Sequence, residues 1–345
     1  MEVAGAYKFR IYPDAKRQKE IDERLGLAQQ LVSTRVLIVS HSTDLDGIAS
    51  AALLLRAYSD AGTVFTDYTL QSIRHALARI SSFRGIVFIA DLNVNIAHRR
   101  LWQEAISKAK SNGSKIIWLD HHPWAKECVG IAEMCDFAIF GENRQYCASE
   151  IVARLLGFNS TRDKMLLKLV HADDFAIKND GMRILRKYQL AITYANTLSM
   201  ASRQKLLRRF ADSISKGVLV SKEITKLAKS FEERSKKEIS KALSNIYYSG
   251  DIAVAFASNK LVFDDLLDAL FKKSGKEIVI AVNTVERKAS IRSKEKDISR
   301  LAQAFGGGGH PHAAGFNLSK GTRLNTEHDR KKFVEKIANV YARVA

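Results

Sequence analysis

The sequence predicts an α/β protein in which a parallel-sheet domain is joined by a helical linker to a smaller α/β domain. Three observations lead there. Short apolar, β-branched runs recur at Val36–Ser40, Ile86–Ala90 and Lys115–Leu119, with amphipathic helical stretches among them, the alternation of a parallel sheet covered on both faces. Strand signals vanish from Arg203 to Lys241, where basic and apolar residues mix. They return near Tyr248 as a second, shorter series. A chain of 345 residues suits two domains of roughly 100–200 residues each.

The elements follow in order. Residues 1–35 read as a basic amino-terminal appendage, with Ile21, Leu25, Ala28 and Leu31 at helical spacing between Lys16 and Leu31. Residues 36–195 read as the first domain, with Val36–Ser40, Thr63–Tyr68, Ile86–Ala90, Lys115–Leu119 and Asp136–Phe140 as strands and Ile48–Tyr58 and Ala97–Lys110 as helices. Residues 196–247 read as two linker helices carrying Arg208, Arg209, Lys222, Lys226, Lys229, Arg234, Lys236 and Lys237 between Leu206, Phe210, Ile224, Leu227 and Phe231. That charge is either a solvated face or a binding track. Residues 248–345 read as the second domain: strands at Ile252–Ala257, Glu277–Val282 and Ala289–Arg292, helices at Asp264–Lys273 and Asp297–Phe305, a glycine run at Gly306–Gly309, and a last helix at Asp329–Ala342.

Composition narrows the function. Lys and Arg number 55 against 37 Asp and Glu, a formal charge of +18, which favours a polyanionic partner such as nucleic acid. Hydrophobic residues at 46% supply ordinary globular cores, and three prolines without biased repeats argue against disorder. No apolar stretch approaches the roughly 20 residues that span a bilayer, and Met1–Arg10 lacks the apolar core of a secretory leader. Cys128, Cys135 and Cys147 form no CxxC pair; a reducing, cytoplasmic setting and buried thiols are expected. Trp102, Trp118 and Trp124 read as packing residues.

Ligands of open α/β sheets sit at the carboxyl ends of the strands. Here those ends carry His41-Ser-Thr-Asp44-Leu-Asp46-Gly47, Asp91 and Asp120-His121-His122, and a later helical stretch closes on His171-Ala-Asp173-Asp174. One aspartate after a strand is ordinarily a helix cap. Four clusters delivering carboxylates and imidazoles to one sheet edge repel one another unless a cation neutralises them. Mixed oxygen and imidazole donors suit Mn²⁺ or Zn²⁺, and the oxygen excess favours Mn²⁺. Gly47 reads as a tight turn into the following helix. The four consecutive glycines before His310 read as a backbone cradle for an anion.

The blocks at His41-Asp44-Asp46, Asp91, Asp120-His121-His122 and Asp173 resemble the four motifs of the DHH phosphoesterases, and Gly306–Gly315 resembles the glycine-rich motif of their DHHA1 domain. The resemblance covers residues 36–320 in the right order. It implies two divalent ions, Mn²⁺ first with Mg²⁺ or Zn²⁺ as substitutes. His41, Asp44 and Asp91 would hold one, and Asp46, Asp91, His121 and Asp173 the other, with Asp174 as the competing carboxylate in the last motif. Asp120 would orient His121, and His122 would face the scissile phosphate as a charge stabiliser or proton donor. Gly307, Gly308, Gly309 and His310 would contact the nucleotide, and Arg292 would clamp a phosphate. Two such ions, roughly 3.5–4 Å apart, activate water for in-line attack.

Three functions are compatible with this resemblance. The favoured one is a metal-dependent exonuclease that trims single-stranded DNA or RNA to nucleoside monophosphates, as RecJ-like relatives do, with single-stranded nucleic acid and a helicase or other replication or repair protein as partners. The second is a phosphodiesterase for nano-oligonucleotides, cyclic dinucleotides or phosphoadenosine phosphate. The third is a non-catalytic scaffold in a replication complex. Intact metal motifs argue against the scaffold, and the +18 charge favours a polymer over a dinucleotide.

Overall fold

The computed structural model describes residues 8–9 (backbone only), 35–141, 145–177 and 181–344. The helix expected over Lys16–Leu31 lies outside the described residues. The chain divides into two compact units, 1–226 and 227–345.

The first unit is built on strands β1 (Lys8–Phe9), β2 (Val36–His41), β3 (Gly62–Thr66), β4 (Ile86–Ala90), β5 (Lys115–Leu119) and β6 (Phe137–Ile139), in the order β1-β6-β5-β4-β2-β3. Every pair is parallel. All six residues of β2 and all five of β4 are buried, because helices cover both faces. Alternation sorts the side chains: Leu37, Val39, Val87 and Ile89 join Trp102 and Trp118 in one cluster, beneath α2 (Leu70–Ser81), α3 (Arg99–Ser111) and α4 (Val129–Met134).

The other face receives α1 (Leu45–Ala57), buried from Leu45 to Leu55 and therefore apolar almost all round. Around it pack α5 (Ala148–Leu155), α6 (Thr161–Asp174), α7 (Met182–Asn196) and α8 (Met200–Ser215). Arg56 in its last turn pairs with Asp163 at 2.5 Å and lies over Phe158. The first half of the expected linker is thus part of this unit. Gln204 of α8 accepts from Phe65 N–H at 2.7 Å and donates to Phe65 O, closing the edge of β3. Arg203 pairs with Asp67 at 2.7 Å.

Helix α9 (Lys222–Leu243) contains the division between the units. The second unit holds β7 (Tyr247–Ser249), β8 (Ile252–Ala257), β9 (Ile278–Asn283), β10 (Lys288–Ser293), β11 (Gly308–His310) and β12 (Ala313–Asn317), ordered β11-β12-β10-β9-β8-β7. Only β8 and β9 pair in parallel. One face buries Val254, Ile280, Ile291 and Phe316 against α11 (Ser299–Ala304) and α12 (Glu327–Val344). The other packs Ala255 and Ala281 with Leu266 and Leu270 of α10 (Phe263–Ser274), in a cluster that Ala242 of α9 joins. Among the described residues, no helix is long and apolar enough to cross a membrane.

Candidate active site

The carboxyl edge of the first sheet assembles the ligand candidates. Asp44 caps α1, its Oδ1 accepting from Gly47 N–H at 3.1 Å, while Oδ2 lies 2.6 Å from His41 Nδ1. Gly47 stands inside α1, and its requirement is steric: a Cβ there would lie 2.4 Å from His41 O and 2.7 Å from His41 Cβ. The expected turn conformation is therefore replaced by a close approach between strand and helix. Thr43 Oγ1 sits 3.0 Å from His41 Nε2; with Nε2–H donated there, Nδ1 turns its lone pair inward. Asp46 accepts the N–H groups of Ala148 and Ser149 at 2.7 and 2.8 Å, so the start of α5 aims it.

Asp91 follows β4 in the left-handed region, with φ of 56°, a strained setting that Asp tolerates better than most residues. Its Oδ2 is 3.5 Å from His41 Nδ1, and its Oδ1 is 3.7 Å from His121 Nε2 and 3.8 Å from His122 Nδ1. His121 Nε2 also lies 4.0 Å from Asp46 Oδ2 and 3.6 Å from Asp174 Oδ2.

Of the two neighbouring aspartates, Asp174 reaches His121, whereas Asp173 stands outside the groups whose donor atoms converge. One step along α6 turns a side chain by about 100°. A second correction concerns Asp120. It faces His122, not His121: its Oδ1 is 2.8 Å from His122 Nδ1 and its Oδ2 accepts from Trp124 Nε1 at 2.8 Å.

Do these residues fit a cation? His41 Nδ1 faces the carboxylates of Asp44 and Asp91 at 2.6 and 3.5 Å, while both carboxylate oxygens of Asp91 and His121 Nε2 are buried and make no hydrogen bond among the described residues. Such groups are costly without a partner. Donors about 2.1 Å from a shared ion stand roughly 3–3.5 Å apart, close to the separations here. The donor set fits, in three convergent groups: His41, Asp44 and Asp91; Asp46, His121 and Asp174; and Asp91, His121 and His122.

The electrostatics agree. Burial, then the charges of Asp44, Asp46, Asp120 and Asp174, hold the Asp91 carboxyl well above the usual range. Burial and the charges of Asp44 and Asp46 push Asp173 and Asp174 up to about 6. Burial would lower the His122 pKa, but the hydrogen bond and charge of Asp120, with Asp174, outweigh it and raise the pKa above the ordinary imidazole value. Protons and cations therefore compete for the carboxylates. Mn²⁺ affinity is expected to fall as the pH drops through about 6, approaching tenfold per unit below it for each proton displaced. Calorimetric titration at several pH values checks this.

In the second unit, three of the five predicted substrate residues, Arg292, Gly308 and His310, share one sheet face, while Gly309 stands in the opposite row with Ala314 and Gly307 precedes the strand. Arg292, Ala313 and His310 stand opposite one another across β10, β12 and β11, and Ser290, Gly315 and Gly308 form the next row on that face. The result is a floor with almost no side-chain height between an arginine and a histidine. The glycine run is therefore partly an edge strand rather than a loop. Gly309 (φ 141°) has no room for a Cβ, with Ala313 O at 2.5 Å, and at Gly307 the clash would be with Gly315 O at 2.1 Å; Gly308 faces open space. Arg292 donates to Asp264 Oδ1 at 3.0 Å, an exposed pair of the kind worth little in water.

Thr43, Trp124 and the amides of Ala148 and Ser149 went unremarked as site residues in the sequence. The first two lie within two residues of the motifs, a usable signal; the amides come from over 100 residues away, where no local signal exists.

The carboxyl edge of the parallel sheet thus gathers carboxylate and imidazole donors that could hold cations, and the second unit carries a sheet face floored by glycine. Residues 35–173 match the DHH family, N-terminal domain, and residues 249–342 match the DHHA1 domain. The chain belongs to the DHH/DHHA1 family of phosphoesterases. Among solved structures, it is similar to RecJ in complex with Mn²⁺ from Thermus thermophilus, at 13% identity and a TM-score of 0.60, over 95% of this chain and 55% of that one. It is also similar to an exopolyphosphatase-related protein from Bacteroides fragilis, at 17% identity and a TM-score of 0.50, over 99% of this chain and 98% of that one. The chain spans about half the length of RecJ. No curated protein compared matches it.

Proposed function

We propose that the chain is a metal-dependent exonuclease acting on single-stranded DNA or RNA and releasing nucleoside monophosphates. The carrying observation is the buried donors on Asp91 and His121 that no hydrogen bond satisfies among the described residues, with His41 Nδ1 facing two carboxylates beside them. His41, Asp44 and Asp91 would hold one divalent ion, Mn²⁺ by preference; Asp46, Asp91, His121 and Asp174 would hold the second, with Asp91 shared. When bound, such ions lower the pKa of water and neutralise phosphoryl oxygens. His122, fixed at Nδ1 by Asp120, offers Nε2 to the scissile phosphate as charge stabiliser or proton donor. Arg292, the glycine floor and His310 would receive the nucleotide, the guanidinium exchanging Asp264 for a phosphate.

The polymer reading is supported by α9. Lys226, Lys229, Lys237 and Lys241 are exposed, make no ion pair among the described residues and lie away from the buried Ile224, Ala228 and Phe231. One observation favours the small-substrate reading instead. Arg203, Arg208 and Arg209 are engaged by Asp67, Asp212 and Glu223, which shortens any basic track. Changing Lys229, Lys237 and Lys241 together to Glu is expected to weaken binding of a strand of about 15 nucleotides and to reduce the salt slope by roughly 0.7 per lysine. A flat salt response in the unaltered chain, with efficient dinucleotide hydrolysis, would favour the small substrate.

A further inference from the structure

We propose that Trp124 is a positioning residue for hydrolysis, acting through Asp120 on His122. The inference rests on the phosphodiester-hydrolase reading above and adds a residue outside the charged cluster.

Asp120 is fully buried at the end of β5, and its two carboxylate oxygens are divided between two donors. His122 Nδ1 approaches Oδ1 at 2.8 Å, and the indole N–H of Trp124 donates to Oδ2 at 2.8 Å. Without that N–H, Oδ2 would be buried with no partner among the described side chains, and the carboxylate would be free to turn. Turning it moves His122, whose ring is hydrogen-bonded to Asp120 and, among the described residues, to no other group.

Trp124 is itself rigid. It is 9% exposed, and its ring lies 4.8 Å from that of Trp118 at 72° and 4.7 Å from that of Phe140. Trp118 in turn lies 4.7 Å from Trp102 and donates its indole N–H to Leu92 O at 2.7 Å, beside the strained Asp91. One aromatic stack thus sends two N–H groups into two ligand-bearing loops. Packing alone explains the rings; it does not explain why both indole nitrogens point to the residues that set Asp91 and His122. Sequence reading placed all three tryptophans in packing, and burial agrees. The added role lies in the polar edge of the ring.

Trp124→Phe keeps the stack and removes the donor. Against a labelled single strand with Mn²⁺, kcat is expected to fall about tenfold, as for a lost hydrogen bond to a charged group. KM and the Mn²⁺ half-saturation should stay within about twofold. In a His122→Ala background, Trp124→Phe should cause no further loss, because residues acting as a unit are not additive. Asp120→Asn should reproduce the kcat loss with the aromatic stack intact, which keeps the test valid if Trp124→Phe folds poorly. Trp118→Phe should instead raise the Mn²⁺ half-saturation. An active Trp124→Phe with unaltered kcat, or an undiminished further loss in the His122→Ala background, overturns the inference. A wild-type chain that hydrolyses no phosphodiester overturns the reading beneath it.

Discussion

Replacing Asp91 with Asn is expected to lower hydrolysis by about a thousandfold or more while making the metal-free protein more stable. The loss follows from position: both Asp91 oxygens are buried and unpartnered, one toward His41 and the other toward His121 and His122. A shared ligand that supports two ions supplies several kcal/mol of charge stabilisation. The gain follows from the sign of the pKa shift. Burial and four neighbouring carboxylates raise the folded pKa of Asp91 well above its unfolded value. Its contribution is therefore fully favourable below the unfolded pKa and is lost as pH rises through the folded one. At pH 7.5, above the unfolded pKa, that contribution is reduced: the unfolded chain ionises Asp91 freely and the metal-free folded chain resists it, a cost that Asn removes. Asn also accepts the left-handed backbone at φ 56°, so the variant should fold. Thermal melts with EDTA and with Mn²⁺ check both halves: the variant should melt at or above the wild type in EDTA and lose the metal-induced rise.

His122→Ala is expected to cost about a hundredfold to ten-thousandfold in kcat, the range of general acid–base groups, with metal uptake retained. The separation from His121 is geometric. His121 Nε2 faces Asp46, Asp91 and Asp174 and lacks a hydrogen bond, whereas His122 Nδ1 is bound by Asp120 and a third of its side chain is exposed. Under the proposed function the two adjacent histidines would divide the work, His121 holding the cation and His122 facing the phosphate. Calorimetric Mn²⁺ titration of His122→Ala should match the wild type, while His121→Ala should lose most of its affinity.

Much of this was legible in the sequence because the physics is local. A strand buried on both faces must be apolar throughout, so Val36–Ser40 and Ile86–Ala90 announce themselves. A side chain at a strand's carboxyl end follows its strand directly, so the convergence of His41, Asp91 and His121 on one sheet edge is readable from their places after the strands. What escaped depends on rotation or on distance in the chain. Asp173 and Asp174 differ by one step on α6, and sequence does not give the helix phase at its last residue. The Asp120–His122 pairing depends on the path of the chain just beyond β5, where no strand or helix periodicity applies. The strand Gly308–His310 carries no side-chain signal; its backbone pairing with β12 defines it. Arg208 is engaged by Ala61 O at 2.7 Å, 147 residues away, so the basic run, which sequence leaves open as a solvated face or a binding track, is partly internal structure.

The central claim is that this cluster hydrolyses phosphodiesters with divalent ions. Its most direct test follows an end-labelled single strand incubated with the wild-type chain and with Asp91→Asn, each in Mn²⁺ and in EDTA. The predicted result is release of mononucleotides by the wild type in Mn²⁺ alone. Equal degradation in EDTA, or by Asp91→Asn, would contradict it.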